Sequence, residues 1–140
     1  MTKIFLDANV IITVLNKEYP LFPFAARIVS LADNKNYKLF ISTLTVSIAY
    51  YYSVKQCGEA RSREKIFKLA EKIKLTDSPD DCLLQIKSNK RILDIEAGMQ
   101  YLAAVRAKCD IIITEDLEDF HFSKIKVLDC ASFVQAFNKK

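Results

Sequence analysis

The apolar positions of the chain follow two spacings. Continuous runs rich in β-branched and aromatic residues, Lys3–Leu6, "YKLFIS" and "DIIIT", read as buried strands, and "IKVLD" reads as a last strand. "DIIIT" is the clearest of them and is expected to be central and parallel. Between the runs the spacing becomes helical. Positions 10, 11, 14 and 15 give one apolar face over Asn9–Glu18, which Pro20 and Pro23 end, and positions 24, 28 and 31 give another over Phe24–Ala32. Ser42 or Thr43 supplies the N-cap of a helix over Leu44–Lys55 that Gly58 ends.

The second half continues the alternation. "EARSREKIFKLAEKI" predicts an amphipathic helix with Ala60, Ile66, Leu69 and Ile73 inward. "KLTD" predicts a short edge strand, and Ser78-Pro79 opens a further helix. "LDIEAGMQYLAAVRAKC" is helical with apolar positions at 95, 99, 102, 103 and 105, and "ASFVQAF" closes the chain as a helix capped near Ser132. The resulting order, βαα-βαα-(β)α-α-β-β-α, predicts an α/β fold: a parallel sheet of four to five strands covered by helices. Tyr50, Tyr51 and Tyr52 point in three directions from one helix, so at least one ring faces solvent or a partner.

Composition narrows the class. With 140 residues, 51% of them hydrophobic, the chain is expected to form one domain over 1–140 with a substantial core. Two glycines and three prolines leave no room for a low-complexity linker. No apolar run approaches the roughly 18 residues of a membrane span, and the N-terminus reads as a strand instead of a signal peptide. Cys57, Cys82, Cys109 and Cys130 are scattered and His121 is the single histidine, which argues against a zinc site and for free thiols in a reducing cytoplasm. The net charge of +4 permits a nucleic-acid partner without demanding one.

The candidate chemistry lies where strands end. Asp7 interrupts "MTKIFLDANVII" between two segments that both favour burial. Thr114, Glu115, Asp116 and Asp119 follow "DIIIT", and Asp94 and Glu96 stand at the entrance of the preceding helix. Ligands of parallel α/β sheets bind at the carboxyl ends of strands, so these chain-distant acids converge if the two strands are neighbours. Gathered carboxylates repel and call for a cation; a hard ion such as Mg²⁺ held by one or two of them can activate water and neutralise a phosphate. Taken singly, Asp94 could merely cap a helix, Asp116 could sit in a turn and Asp119 could be solvated.

Together, "KIFLDANVII", "FISTLTVSIAYY", "DIEAGMQYLAAVRAKCDIIITEDLEDF" and "KIKVLD" resemble the PIN domain, and more closely the VapC-like toxins and their relatives. The resemblance implies a three-layer α/β/α sandwich and a Mg²⁺- or Mn²⁺-dependent endoribonuclease, with an antitoxin-type protein and a second copy of the chain as further partners. It implies metal-site roles for Asp7 and Asp116 and supporting roles for Asn9, Thr114 and Asp119. Asp94 and Glu96, which are out of register with the family's acid, are the candidates for the missing oxygen. The expected catalytic set is therefore Asp7, Asp94, Glu96 and Asp116, with the metal on Asp7, Asp116 and Asp94. The pattern also departs from the family. Two positions where relatives commonly carry acids are Ile48 and Ala97 here, so the metal is expected to bind weakly and the site to be thinned.

Basic residues cluster in "RSREKIFKLAEKIK" and "KSNKR". The first cluster, with Glu59, Glu64 and Glu71 interleaved, reads equally well as a solvated helix face. Lys87, Lys90 and Arg91 lead directly into Asp94 and are the expected RNA contacts. Other strand-Asp folds fit less well. Asn9 replaces the second acid of a phosphoaspartate D-x-D motif, no acid ends "KLFIST" as a receiver domain requires, and the first turn lacks the glycines of a dinucleotide site. The remaining rival is a PIN-like fold that binds RNA or protein without cutting.

Overall fold

The computed structural model describes residues 1–137. Five parallel strands form one sheet in the order β3-β2-β1-β4-β5: β1 (Thr2–Leu6), β2 (Tyr37–Ser42), β3 (Lys74–Thr76), β4 (Ile111–Ile113) and β5 (Lys126–Leu128). The helices are α1 (Ala8–Asn16), α2 (Phe22–Ser30), α3 (Thr43–Cys57), α4 (Glu59–Ala70), α5 (Cys82–Ser88), α6 (Ile95–Arg106) and α7 (Cys130–Phe137), with short 3₁₀ turns at Leu31–Asp33 and Leu117–Phe120. β4, expected to be central, is interior but flanked by β1 and β5; the middle strand is β1.

Strand alternation divides the core in two. Ile4, Leu6, Leu39, Ile41, Ile111 and Ile113 point to the face covered by α1, α2, α3 and α7. Phe5, Phe40 and Ile112 point to the other face, against Ala97, Ala103 and Ala104 of α6. Cys82 and Ile86 of α5 join this layer through Leu102. The result is the expected α/β/α sandwich. Because residues 4–6 of β1 and 111–113 of β4 are covered on both faces, they read as unbroken apolar runs.

Local details depart from expectation where packing overrides spacing. α2 starts at Phe22 and accommodates Pro23 in its first turn, where a missing N–H costs nothing. α5 begins only at Cys82, since residues 77–79 form the loop out of β3. α4 turns Ser62 inward and leaves Ala60 exposed, and the Ser62 and Ser53 hydroxyls lie 2.7 Å apart between α4 and α3. α7 is capped at Asp129, whose Oδ1 accepts from Ser132 N at 2.7 Å, with Glu115 Oε2 accepting from Cys130 N at 2.8 Å. α6 buries Ala97, Gly98, Gln100, Leu102, Ala103 and Ala104 and leaves Ile95 and Val105 exposed. Small residues let the helix lie close: a Cβ on Gly98 would come within 2.8 Å of Ile92 Cγ2 and 2.9 Å of Ile86 Cγ1.

Ser42 caps α3 in a reciprocal box with Thr45, Tyr51 and Tyr52 are exposed on α3, and the four cysteines are free thiols, three buried and Cys57 half-buried. Among the described residues no helix is long and apolar enough to cross a membrane.

Candidate active site

Strand order reverses between β1 and β4, since the chain runs from β1 outward to β3 and then returns to β4 on the other side. This is the switch point at which parallel sheets open a crevice beyond their carboxyl ends. The ladder continues one residue past the strands. Asp7 N donates to Ile113 O at 3.0 Å and Thr114 N donates to Leu128 O at 3.0 Å, which sets Asp7 and Thr114 side by side.

Asp7 is 5% exposed, and its carboxylate is held by donors on both oxygens. Oδ1 accepts from Ala8 N at 2.7 Å, so Asp7 is also the N-cap of α1. Oδ2 accepts from the Thr114 hydroxyl at 2.6 Å and from Asn9 Nδ2 at 3.1 Å. The same Asn9 amide reaches Asp116 Oδ2 at 3.0 Å, while Asn9 Oδ1 accepts from Glu115 N at 3.3 Å. Thr114 Oγ1 accepts in turn from Asp116 N at 3.0 Å. Asn9 and Thr114 thus bind both ends of the acid pair, and Asn9 pins the loop that carries Asp116.

Burial pushes the Asp7 carboxyl above its ordinary range. Hydrogen bonds from Thr114, Gln100 and Ala8 pull the other way without cancelling the shift, and the charge of Asp116 adds to it. Asp119 is also raised, first by partial burial and then by Asp94, Asp116 and Glu118 around it.

Asp7, Asp94, Glu96, Asp116 and Asp119 line one cleft of about 230 Å³, walled also by Ala8, Asn9, Ile12, Ile48, Ala97, Gln100 and Phe120. The chain-distant acids anticipated from the sequence therefore share a cleft, and Ile48 and Ala97 form part of its wall. They do not form a ready cage. Among the described residues no group of three His, Cys, Asp or Glu side chains is close enough to hold a metal ion. Asp94 Oδ1 accepts from Ala97 N at 2.8 Å as the N-cap of α6, which directs that oxygen to the helix instead of the acid pair. Glu96, in the first turn of α6, is exposed. The donor set fits a water-rich ion on Asp7 and Asp116, the one-or-two-carboxylate pattern that Mg²⁺ commonly accepts.

Lys87, Lys90 and Arg91 are exposed between the end of α5 and α6. Arg91 Nη2 donates to His121 O at 3.3 Å, which places it beside the loop that carries Asp119. Sequence reasoning missed Gln100. It is 3% exposed, and its Oε1 accepts from the Thr45 hydroxyl at 3.1 Å and from Ala8 N at 3.3 Å. The available signal was spacing, because Gln100 lies three and four residues after Ala97 and Glu96 on one helix.

A parallel α/β/α sandwich with paired carboxylates at its switch point is the architecture these residues define. The chain belongs to the PIN domain family, whose model matches residues 3–118. No curated protein sequence matches significantly. Solved structures share the fold at low identity. VapBC2 from Rickettsia felis, bound to a DNA fragment from its promoter, is 14% identical with a TM-score of 0.68, covering 91% of this chain and 98% of that one. VapBC-1 from nontypeable Haemophilus influenzae is 19% identical with a TM-score of 0.68, covering 93% and 99%. VapC20 from Mycobacterium tuberculosis, described as a toxin that cleaves the sarcin-ricin loop, is 10% identical with a TM-score of 0.62, covering 78% and 86%.

Proposed function

We propose that the chain is a divalent-metal-dependent endoribonuclease of the VapC type whose acidic site is thinned. The observation that carries this reading is the Asp7–Asn9–Asp116 arrangement, two carboxylate groups bound by one amide at 3.1 and 3.0 Å in the switch-point cleft. Asp7 and Asp116 would hold Mg²⁺ or Mn²⁺, with Asp94, Glu96 and Asp119 acting through intervening water. When bound, such an ion supplies charge neutralisation at a phosphate and a more acidic water. The chain's own residues prepare the site. Thr114 and Asn9 fix the Asp7 oxygens, Gln100 and Thr45 brace the turn into α1, and Asn9 fixes the loop at Glu115. Lys87, Lys90 and Arg91 would hold the phosphates of an RNA strand at the rim.

The VapBC assemblies among the structural neighbours support an antitoxin-type protein partner and a second copy of the chain. One observation favours a second reading, a PIN fold that binds RNA or protein without cutting: Ile48 and Ala97 give the cleft wall no carboxylate where relatives commonly have one.

The deciding experiment incubates end-labelled unstructured RNA with the protein and Mn²⁺. Slow internal cleavage that is blocked by chelator and lost in Asp7→Asn supports the nuclease. Cleavage that persists in Asp7→Asn contradicts the assigned site, and binding without cleavage at any metal concentration supports the second reading.

A further inference from the structure

The sheet has two charged ends. The acids of the cleft follow the strands, while lysines introduce them: Lys3, Lys74 and Lys126 stand at the starts of β1, β3 and β5, and Asp7, Asp77 and Asp129 follow those same strands. At the amino end, three lysines are forced onto one face by register. Lys3 pairs with Lys38 across β1 and β2, and Phe40, two residues beyond Lys38, pairs with Lys74 across β2 and β3. Partners in register project to the same side of a sheet, and so do residues two apart on one strand. Lys3, Lys38 and Lys74 therefore surround Phe40 on the α6 side. Lys3 Nζ and Lys38 Nζ lie 5.8 and 5.7 Å from the centroid of the Phe40 ring.

Nothing acidic among the described residues forms an ion pair with these three side chains. Lys3 Nζ donates to Ala107 O at 3.3 Å, just past the end of α6, and Asp110 Oδ2 accepts from the backbone N–H of Lys3 at 2.8 Å. Lys74 and Lys3 depress the ammonium of Lys38, with Lys74 the larger cause. Adjacent strands are only about 4.8 Å apart, so the folded sheet holds these like charges close together, and a bound polyanion would relieve their repulsion. Lys35 and Lys108, exposed in the turns into β2 and β4, extend the positive rim.

We propose that this amino-end patch, centred on Lys3, Lys38 and Lys74, is a phosphate-contacting surface for a single-stranded nucleic-acid backbone, separate from the cleft at the opposite end of the sheet. Lysines act here as point charges towards phosphate oxygens and present no planar fork or exposed aromatic face to read a base. The patch therefore binds RNA and DNA of one sequence alike. It also offers a polyanion an anchor on a molecule whose cleft is itself acidic.

The test measures binding of fluorescent RNA and DNA twenty-mers of the same sequence by anisotropy, with chelator present and across a salt series. Chelator removes any metal-dependent contribution from the cleft, and the change caused by the patch substitutions alone reports this surface, whether or not the nuclease reading holds. Lys38→Gln/Lys74→Gln, with both side chains at the surface, should weaken RNA and DNA binding roughly tenfold at low salt and make the log–log salt slope shallower by about 1.4, the loss of two phosphate contacts on a single strand. Lys74→Glu alone should weaken binding in the same direction, and circular dichroism melting checks that each variant is folded. An unchanged slope and affinity in folded variants overturns the proposal. So does poly-glutamate competing more strongly than nucleic acid, which would assign the patch to an acidic protein. Loss of RNA binding with DNA binding retained would also overturn a surface that reads only phosphates.

Discussion

The Thr114 hydroxyl lies 2.6 Å from Asp7 Oδ2, joining residues 107 apart in sequence across the ends of neighbouring strands. Thr114 is fully buried and spends its oxygen twice, donating to Asp7 and accepting from Asp116 N at 3.0 Å. Asp7 and Asp116 are positioned through that contact and through the Asn9 amide.

Thr114→Val keeps the shape of the side chain but leaves the Asp7 oxygen short of a donor and Asp116 N short of an acceptor. The variant should lose about 1–3 kcal/mol of unfolding free energy. Urea denaturation at neutral pH measures it. A loss near zero would show that the hydroxyl does not hold the pair.

Asp7 should make the metal-free protein less stable as pH rises. Its folded carboxyl is raised above the ordinary value of 3.8, so the folded state binds the proton more tightly than the unfolded chain does. The contribution is complete below the unfolded value and is lost as pH rises through the folded one. Other carboxylates titrate in the same range, so the readout is the difference in unfolding free energy between the native protein and Asp7→Asn from acid to neutral pH. That difference should decline with rising pH. A difference that grows with pH would mean the hydrogen bonds outweigh burial.

Gln100→Leu should disturb the cleft from behind. The substitution removes an acceptor of the buried Thr45 hydroxyl and the longer of the two acceptors of Ala8 N, which keeps Asp7 Oδ1. A loss of about 1 kcal/mol follows, the usual net contribution of a hydrogen bond, since both donors keep a second partner. Calorimetric titration should also show weaker Mn²⁺ binding, because Ala8 directly follows Asp7, the proposed ligand. Retained stability and metal affinity would make Gln100 incidental.

The fold was legible because the sheet is parallel and covered on both faces. The buried parts of β1, β2 and β4, residues 4–6, 39–41 and 111–113, are continuous apolar runs, and Asp7, directly after the first, stands out against burial. The face of α6 was less legible. Ile95 and Val105 look like core residues but are exposed, whereas Ala97, Gly98 and Gln100 are buried, since close helix–sheet packing selects small side chains over large apolar ones. Gln100 was missed for the same reason, because an amide in a helix usually reads as an outward residue. Asp94 reads from sequence either as a helix cap or as a site acid, and the structure shows the cap, with Oδ1 accepting from Ala97 N.

Calorimetry should find weak Mg²⁺ and Mn²⁺ binding that is lost in Asp7→Asn, because only two carboxylates are held together. Tight binding that survives Asp7→Asn would place the ion elsewhere.

The central claim is that the acid pair is intact and the cleft wall opposite it is depleted. Ala97→Asp returns a carboxylate to that wall, on the first turn of α6. The measurement is the single-turnover rate of RNA cleavage with Mn²⁺ for the native protein, Ala97→Asp, and Ala97→Asp combined with Asp7→Asn. The account predicts slow or undetectable cleavage by the native protein, a clear rise with Ala97→Asp, and loss of that gain in the double variant. Brisk Mg²⁺-dependent cleavage by the native protein, abolished by Asp94→Asn or Glu96→Gln, would contradict it and show that those acids already complete the site.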